Sequence, residues 1–235
     1  MTLRLALPDD ALREQALELL AAAGVAIDAA PTSGGATADP SAGAGDAAHA
    51  GAAGKTAPEP AAARLVVVAA ADVPAYLACG AAELGVMAKT ALLEGGAGLC
   101  ELLDLRFGAS LLVYATGPAA AARGQRLGRL RIATRHPHLA RSFFVSRGVQ
   151  IAVVEVAGEL DRAVRDGLAD GMVTLAEAAP GAGPPVQVAG LDVAGVVAEG
   201  GARLVAGRGG RVLHAAAIGA LVGRLRGALA ERIPA

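Results

Sequence analysis

The strongest constraint on the fold is a repeated alternation of short apolar runs with amphipathic segments between residues 130 and 177. Three runs have the length of buried strands, namely LRIAT (130–134), QIAVVEV (150–156) and GMVTLA (171–176). Apolar residues recur at helical spacing in the two segments that separate them, HPHLARSFFVSRG and GELDRAVRDGLA. Because strands alternate with helices in this way in parallel sheets, the sequence predicts an α/β fold with mostly parallel, doubly wound sheets.

The first part of the chain shows the same alternation, interrupted by one long insertion. An apolar strand at 3–7 precedes a helix that Gly24 closes, and further strands are expected at 64–70 and 84–88. Residues 29–63 consist almost wholly of Ala, Gly, Pro, Ser and Thr, so we predict a disordered insertion there.

The segments around and after the alternation complete the predicted elements. ELLDLRFGASLLVYAT supplies two extended runs, and two more strands are expected at VAGVVAE and ARLVAG. A final helix is expected over 212–233, with Arg224, Arg226 and Arg232 on its polar side. That helix is interpreted as a packing or dimer helix.

Composition excludes several classes of protein. The apolar fraction is 54%, but Gly and Pro break every uncharged stretch before the roughly 20 residues that a spanning helix needs, so no membrane span is expected. A net charge of −1 gives no footprint for nucleic acid. No signal peptide is recognised, which indicates a cytoplasmic protein. Cys79 and Cys100 lack metal-ligand spacing and are predicted to be buried thiols, and no metal site is proposed.

Several stretches, read in order, resemble the ATP phosphoribosyltransferase family of histidine biosynthesis. They are LRLALP, DVPAYLACGAAELGVMAKTALLE with ELLDLRFG, LRIATRHPHLARSFFVSRGVQIAVVEVAGELDRAVRDGLAD, and GLDVAGVVAEGGARLVAGR. The most specific is LRIATRHPHLARSFFVSRG, in which a strand, a basic residue, a proline turn and a helix with Arg and aromatic residues follow one another as in the family.

The resemblance implies a two-lobed fold like that of type II periplasmic binding proteins, with the substrates between the lobes. Residues 1–106 and 190–235 would form the first lobe and residues 107–189 the second. Without the insertion the chain has the length of the family's short form, a catalytic subunit that works with a regulatory subunit resembling histidyl-tRNA synthetase. A homodimer or a hetero-oligomer is therefore expected.

The family transfers the ribosyl group of phosphoribosyl pyrophosphate (PRPP) to ATP and releases pyrophosphate with Mg²⁺ present. Both substrates are polyanions, so the site needs cations, hydroxyls and backbone N–H groups. Here Pro8-Asp9-Asp10-Ala11-Leu12 stands where the family has Pro-Lys-Gly-Arg-Leu. The phosphate loop, usually Asp-Ile-Val-Asp followed by Thr-Gly, has Thr174 for the second Asp and Ala178-Ala179 for Thr-Gly. No Lys or Arg occurs between Arg165 and Arg203.

The resemblance assigns substrate binding to the residues that remain at the matching positions, and it identifies no catalytic residue. These are Lys89, Arg135, Arg141, Asp170, Thr174 and Glu177, together with Gly181, whose backbone N–H could join an anion nest. Arg135 and Arg141 could equally belong to a solvated helix face, and His136 and His138 are interpreted as turn or surface residues. Asp9 and Asp10 are interpreted as acidic residues that favour a helix N-terminus.

Two functions stay open from the sequence. The first is the catalytic subunit itself. The second is a catalytically inactive paralogue that keeps the fold as a binding or regulatory module, because three lost charge-assisted hydrogen bonds of about 1.5 to 3 kcal/mol each would weaken PRPP binding by roughly three to six powers of ten.

Overall fold

The computed structural model describes residues 2–29, 62–117, 129–156, 158–177 and 183–232. They form two six-stranded sheets, each with helices on both faces, which confirms the expected two-lobed α/β fold. The predicted insertion lies almost wholly outside the described residues, and Gly181 lies outside them as well.

The first sheet has the strand order β2-β3-β1-β4-β12-β5. β1, β2, β3 and β4 are mutually parallel, and β12 runs antiparallel to β4 and β5. Helices α1 and α7 cover one face, and α2 covers the other. The strands are β1 (Leu3–Pro8), β2 (Ala26–Ala29), β3 (Ala62–Val68), β4 (Leu84–Ala88), β5 (Leu99–Asp104) and β12 (Ala202–Gly207); the helices are α1 (Leu12–Ala22), α2 (Val73–Ala78), α3 (Lys89–Gly95), α6 (Arg208–Leu213) and α7 (Ala215–Glu231).

The second sheet has the order β10-β11-β6-β9-β7-β8. Only β7, β8 and β9 are parallel, so both sheets are mixed, and the antiparallel strands include those by which the chain enters and leaves this lobe. Helix α4 packs Phe143 and Phe144 on one face and α5 covers the other. The strands are β6 (Ser110–Thr116), β7 (Leu130–Thr134), β8 (Ile151–Glu155), β9 (Gly171–Glu177), β10 (Gln187–Val188) and β11 (Leu191–Glu199); the helices are α4 (Pro137–Val145) and α5 (Leu160–Arg165).

The chain crosses between the lobes at two adjacent places. The first crossing lies at 105–109, between β5 and β6, and the second at 200–201, between β11 and β12. The sequence placed the return to the first lobe at residue 190, whereas β11 still pairs with β6 in the second sheet. The return therefore takes place at Gly200 and Gly201, because a long antiparallel strand completes the second sheet first.

Three local expectations need correction. Strand β2 was not predicted, since its alanine-rich sequence resembles the insertion that follows it. The expected helix over 212–233 is two helices, α6 and α7, separated at His214. Cys79 is exposed and Cys100 is half-buried, so neither is the buried thiol that was expected.

Arg224 of α7 and Arg232, directly after it, contact the first helix or the turn that follows it. Arg224 donates to the carbonyl oxygen of Gly24 at 3.3 Å, and Arg232 lies 3.7 Å from Glu18. No helix among the described residues is long and apolar enough to cross a membrane.

Candidate functional site

Both sheets direct the carboxyl ends of their parallel strands toward the two crossings. In the first lobe, the end of β4 at Ala88 pairs with Ala202, directly after the second crossing. In the second lobe, Glu177 at the end of β9 pairs with Ser110, directly after the first crossing. The two carboxyl edges therefore meet at the hinge, and ligands of open α/β sheets bind at such edges. We call this region the cleft edge, and the opposite ends of the same strands the closed edge.

The second lobe brings three polar residues together at its cleft edge. Thr134 pairs with Glu155 on β8 and with Val173, the residue before Thr174, on β9. Thr134, Arg135, Pro137, Glu155 and Val156 line an open cavity of about 360 Å³. The cavity places a guanidinium and a carboxylate around a space large enough for a phosphorylated sugar.

Arg135 is exposed, and its guanidinium donates to the carbonyl oxygen of Gly158 at 3.0 Å. This contact links the Arg135 side chain to the loop that follows β8. Arg141 lies further along α4 and is exposed, next to the buried Ala140 that anchors the helix. Both cations belong to the same strand–turn–helix unit, so they move together with the second lobe.

The turn between β7 and α4 is held by Thr134 and His136. The Thr134 hydroxyl donates to the carbonyl oxygen of Val173 at 3.0 Å and accepts the backbone N–H of His136 at 2.9 Å. Nδ1 of His136 is buried without a hydrogen-bond partner among the described atoms. Burial lowers the pKa of His136, the charge of Glu94 opposes this shift, and Arg135 adds to it. His136 is therefore favoured in its neutral form, and His138 is exposed as expected for a surface residue.

The first lobe presents acidic residues and one lysine at its cleft edge. Oδ1 of Asp10 accepts the backbone N–H of Leu12 at 2.9 Å, and Asp9 lies 3.3 Å from Arg13 one helical turn on. Both carboxylates thus contact the first turn of α1, as their position before a helix indicated. Lys89 begins α3, and its backbone N–H donates to the carbonyl oxygen of Gly201 at 2.8 Å.

Asp170 is not brought together with the other sequence-predicted residues. It precedes β9 at the closed edge, whereas Glu177 ends the same strand at the cleft edge. The side chain is buried, and it accepts hydrogen bonds from the backbone N–H of Arg131 at 2.9 Å and from the guanidinium at 2.8 and 3.2 Å. The assignment of Asp170 to the substrate site is therefore replaced by a structural role.

Two of the remaining predicted site residues lie on strand β9, and the third lies outside the described residues. Both Thr174 and Glu177 lie on β9, where Thr174 is half-buried and Glu177 is exposed. Gly181 lies outside the described residues. Two residues were missed. Glu155 could have been found, because a charged residue near the carboxyl end of a predicted strand marks the same edge as Arg135, whereas Glu94 carries no such signal.

A model of the ATP phosphoribosyltransferase family matches residues 69–227 of the chain. The chain belongs to that family. Among curated relatives, the ATP phosphoribosyltransferase of Pseudomonas paraeruginosa is 36% identical over 170 residues, which cover 72% of this chain and 77% of the relative. That of Acidithiobacillus ferrooxidans is 38% identical over 165 residues, which cover 69% and 75%.

A solved structure has the same fold. The chain is similar to one in the ATP phosphoribosyl transferase (HisG:HisZ) complex from Thermotoga maritima, with a TM-score of 0.68 and 20% identity. The match covers 98% of this chain and 100% of the other. At this identity the similarity establishes the shared two-lobed fold, in agreement with the family assignment from sequence.

Proposed function

We propose that this chain is a catalytic subunit that condenses ATP with PRPP to phosphoribosyl-ATP and pyrophosphate. The observation that carries the proposal is the cavity at the cleft edge of the second lobe, where Arg135 and Glu155 end neighbouring parallel strands. A fixed guanidinium there suits a phosphate, and the facing edge of the first lobe offers Lys89 for the second polyanion.

Magnesium belongs to the proposal as an ion that accompanies the substrate. No group of three or more His, Cys, Asp or Glu side chains suited to a metal lies within the described residues. Mg²⁺ does not need such a group when it binds through substrate phosphates, several waters and one or two carboxylates. Glu155 and Glu177 are the carboxylates at the cleft edge that fit this role, and Mg²⁺ would neutralise phosphate charge there.

A regulatory subunit is the proposed partner. The solved HisG:HisZ complex is an assembly of two kinds of chain, and this chain shares the fold of one of them. The assay must therefore be run with and without a histidyl-tRNA-synthetase-like protein from the same organism. The cytoplasmic location stays a prediction.

A second candidate function is a catalytically inactive paralogue that acts as a binding or regulatory module. It is favoured by Asp9 and Asp10, which serve α1 and place negative charge at the edge where PRPP needs cations. Under this alternative, the folded protein with its partner forms no phosphoribosyl-ATP.

The test is formation of phosphoribosyl-ATP from ATP, PRPP and Mg²⁺ in the presence of pyrophosphatase. We expect turnover in the wild type and a loss of at least about tenfold in kcat/KM for PRPP in Arg135→Ala, because one charge-assisted hydrogen bond is worth about 1.5 to 3 kcal/mol. Arg129→Ala is the matched control, since Arg129 is an exposed arginine at the other end of the same strand. No turnover by folded wild-type protein with its partner would favour the inactive paralogue.

A further inference from the structure

Glu94 makes a contact across the cleft. It lies near the end of α3 in the first lobe, and its carboxylate accepts the backbone N–H groups of His138 at 2.7 Å and Leu139 at 3.0 Å. Both donors lie in the first turn of α4, in the second lobe. A carboxylate at this position is stabilised by the helix dipole as well as by the two hydrogen bonds.

Every backbone donor in the first turn of α4 is accounted for by this contact and the local turn. Pro137 has no N–H, His138 and Leu139 donate to Glu94, and Ala140 donates to the carbonyl oxygen of His136 at 3.0 Å. A helix N-terminus with free N–H groups is a phosphate site. Here the anion at that position is a side chain of the protein, so a substrate phosphate at the cleft edge must use Arg135 and its neighbours instead.

The contact also joins the elements that carry two of the candidate cations. Lys89 begins the same helix α3 that carries Glu94, and its backbone N–H is bonded to Gly201 at the crossing. Arg135 directly precedes the turn into α4. The first residue of α3 is thus bonded to the second crossing at Gly201, and Glu94 near its end is bonded to α4.

We propose that Glu94 is a positioning residue that latches the two lobes together by capping α4 across the cleft. The latch itself follows from the contact alone. Its effect on substrate alignment rests on the proposed function, because it holds Lys89 and Arg135 at a fixed separation on the two facing edges.

Amide exchange tests the latch without any assumption about activity. In Glu94→Ala, we expect the amides of His138 and Leu139 to exchange about tenfold faster and the radius of gyration in solution scattering to increase. Glu94→Gln keeps one neutral acceptor, so its exchange rates and radius should lie between those of the wild type and Glu94→Ala. If the alanine variant does not fold, Glu94→Gln is compared with the wild type instead. The matched control is Glu14→Ala, an exposed glutamate of α1. Unchanged exchange at both amides and an unchanged radius would overturn the latch.

Steady-state kinetics test the positioning role. The Glu94→Ala variant should raise KM for PRPP about fivefold or more while kcat changes less, since substrate binding must then supply the free energy of closure. A fall in kcat at unchanged KM would contradict that role. If the wild type forms no phosphoribosyl-ATP, the proposed function fails, while the exchange rates still decide the latch.

Discussion

The first parallel strand of each lobe, β1 or β7, starts with almost the same four residues, Leu-Arg-Leu-Ala at 3–6 and Leu-Arg-Ile-Ala at 130–133, and the two arginines make equivalent contacts. Arg4 pairs with Glu83, which directly precedes β4. Arg131 pairs with Asp170, which directly precedes β9. Each carboxylate also accepts the backbone N–H of its arginine, at 2.6 Å in the first lobe and 2.9 Å in the second.

The lobes differ at the other end of these strands. β1 runs into Asp9 and Asp10, which serve α1, whereas β7 runs into Arg135 at the cavity. The closed edge therefore has a structural role in both lobes, whereas only the second lobe places an arginine at the end of its first parallel strand. The buried acid next to an arginine stabilises the fold, and the exposed arginine next to a cavity is the candidate for substrate binding.

Removal of Asp170 should give the largest effect on stability. Asp170→Ala is expected to lower the free energy of unfolding by about 1.5 to 3 kcal/mol, because a buried carboxylate that accepts a backbone N–H is lost. Glu83→Ala should cost less, since its partner Arg4 is 45% exposed and Glu83 is less deeply buried than Asp170. Urea unfolding measures both. Lost PRPP affinity at unchanged stability would return Asp170 to the substrate site.

Restoring cations to the first lobe should make its cleft edge more like that of the second. The double variant Asp9→Lys with Ala11→Arg is expected to raise PRPP affinity at least about tenfold, a change of about 1.4 kcal/mol. Asp9 is 69% exposed at its side chain, so a lysine fits without repacking. Calorimetric titration gives the affinity, and Glu14→Lys on the same helix is the control for added charge alone. An equal increase in PRPP affinity in the double variant and in Glu14→Lys would show nonspecific electrostatic attraction by added positive charge.

Acidification should weaken the second lobe before the first. Burial lowers the pKa of His136. As the pH falls below about 6.5, the unfolded chain therefore binds a proton more readily than the folded chain. The free energy of unfolding then decreases by at most about 1.4 kcal/mol for each unit by which the pH falls. Burial raises the pKa of Glu83, but hydrogen bonds and charge from Arg4 outweigh it, and the pKa is lowered overall. Its contribution is lost only below the ordinary glutamate range.

Thermal unfolding of wild type and His136→Gln between pH 7.5 and 5 checks this order. The slope near pH 6 should be smaller in the variant. An identical slope would mean that His136 does not titrate differently in the folded and unfolded chains.

The exposed ion pairs should matter least. Arg162 and Asp166 lie 3.4 Å apart with side chains 76% and 65% exposed. Arg162→Ala is therefore expected to change the free energy of unfolding by less than about 0.5 kcal/mol. If urea unfolding shows that Arg162→Ala lowers the free energy of unfolding as much as Asp170→Ala does, buried and exposed ion pairs do not differ in their contribution to stability.

The alternation of strands and helices could be predicted because each segment carries its own periodicity. The motif that contains Asp170 placed that residue directly before the correct strand, yet it could not show that Arg131, 39 residues earlier, pairs with it at the closed edge. Glu94 could not be predicted either, since it contacts α4 only after both lobes have folded. Residues at strand ends, such as Arg135 and Glu155, can be predicted, because ligands of open α/β sheets bind at the carboxyl ends of the strands.

The most direct test of the account is an amide NMR titration of the protein with PRPP and Mg²⁺. We predict shifts concentrated at the cleft edge, at Lys89, Arg135, Thr174 and Glu177, with little change at Glu83 and Asp170. Shifts concentrated at Arg4, Glu83, Arg131 and Asp170, or no shifts at saturating PRPP, would contradict the assignment of the closed edge to structure and of the cleft edge to substrate binding.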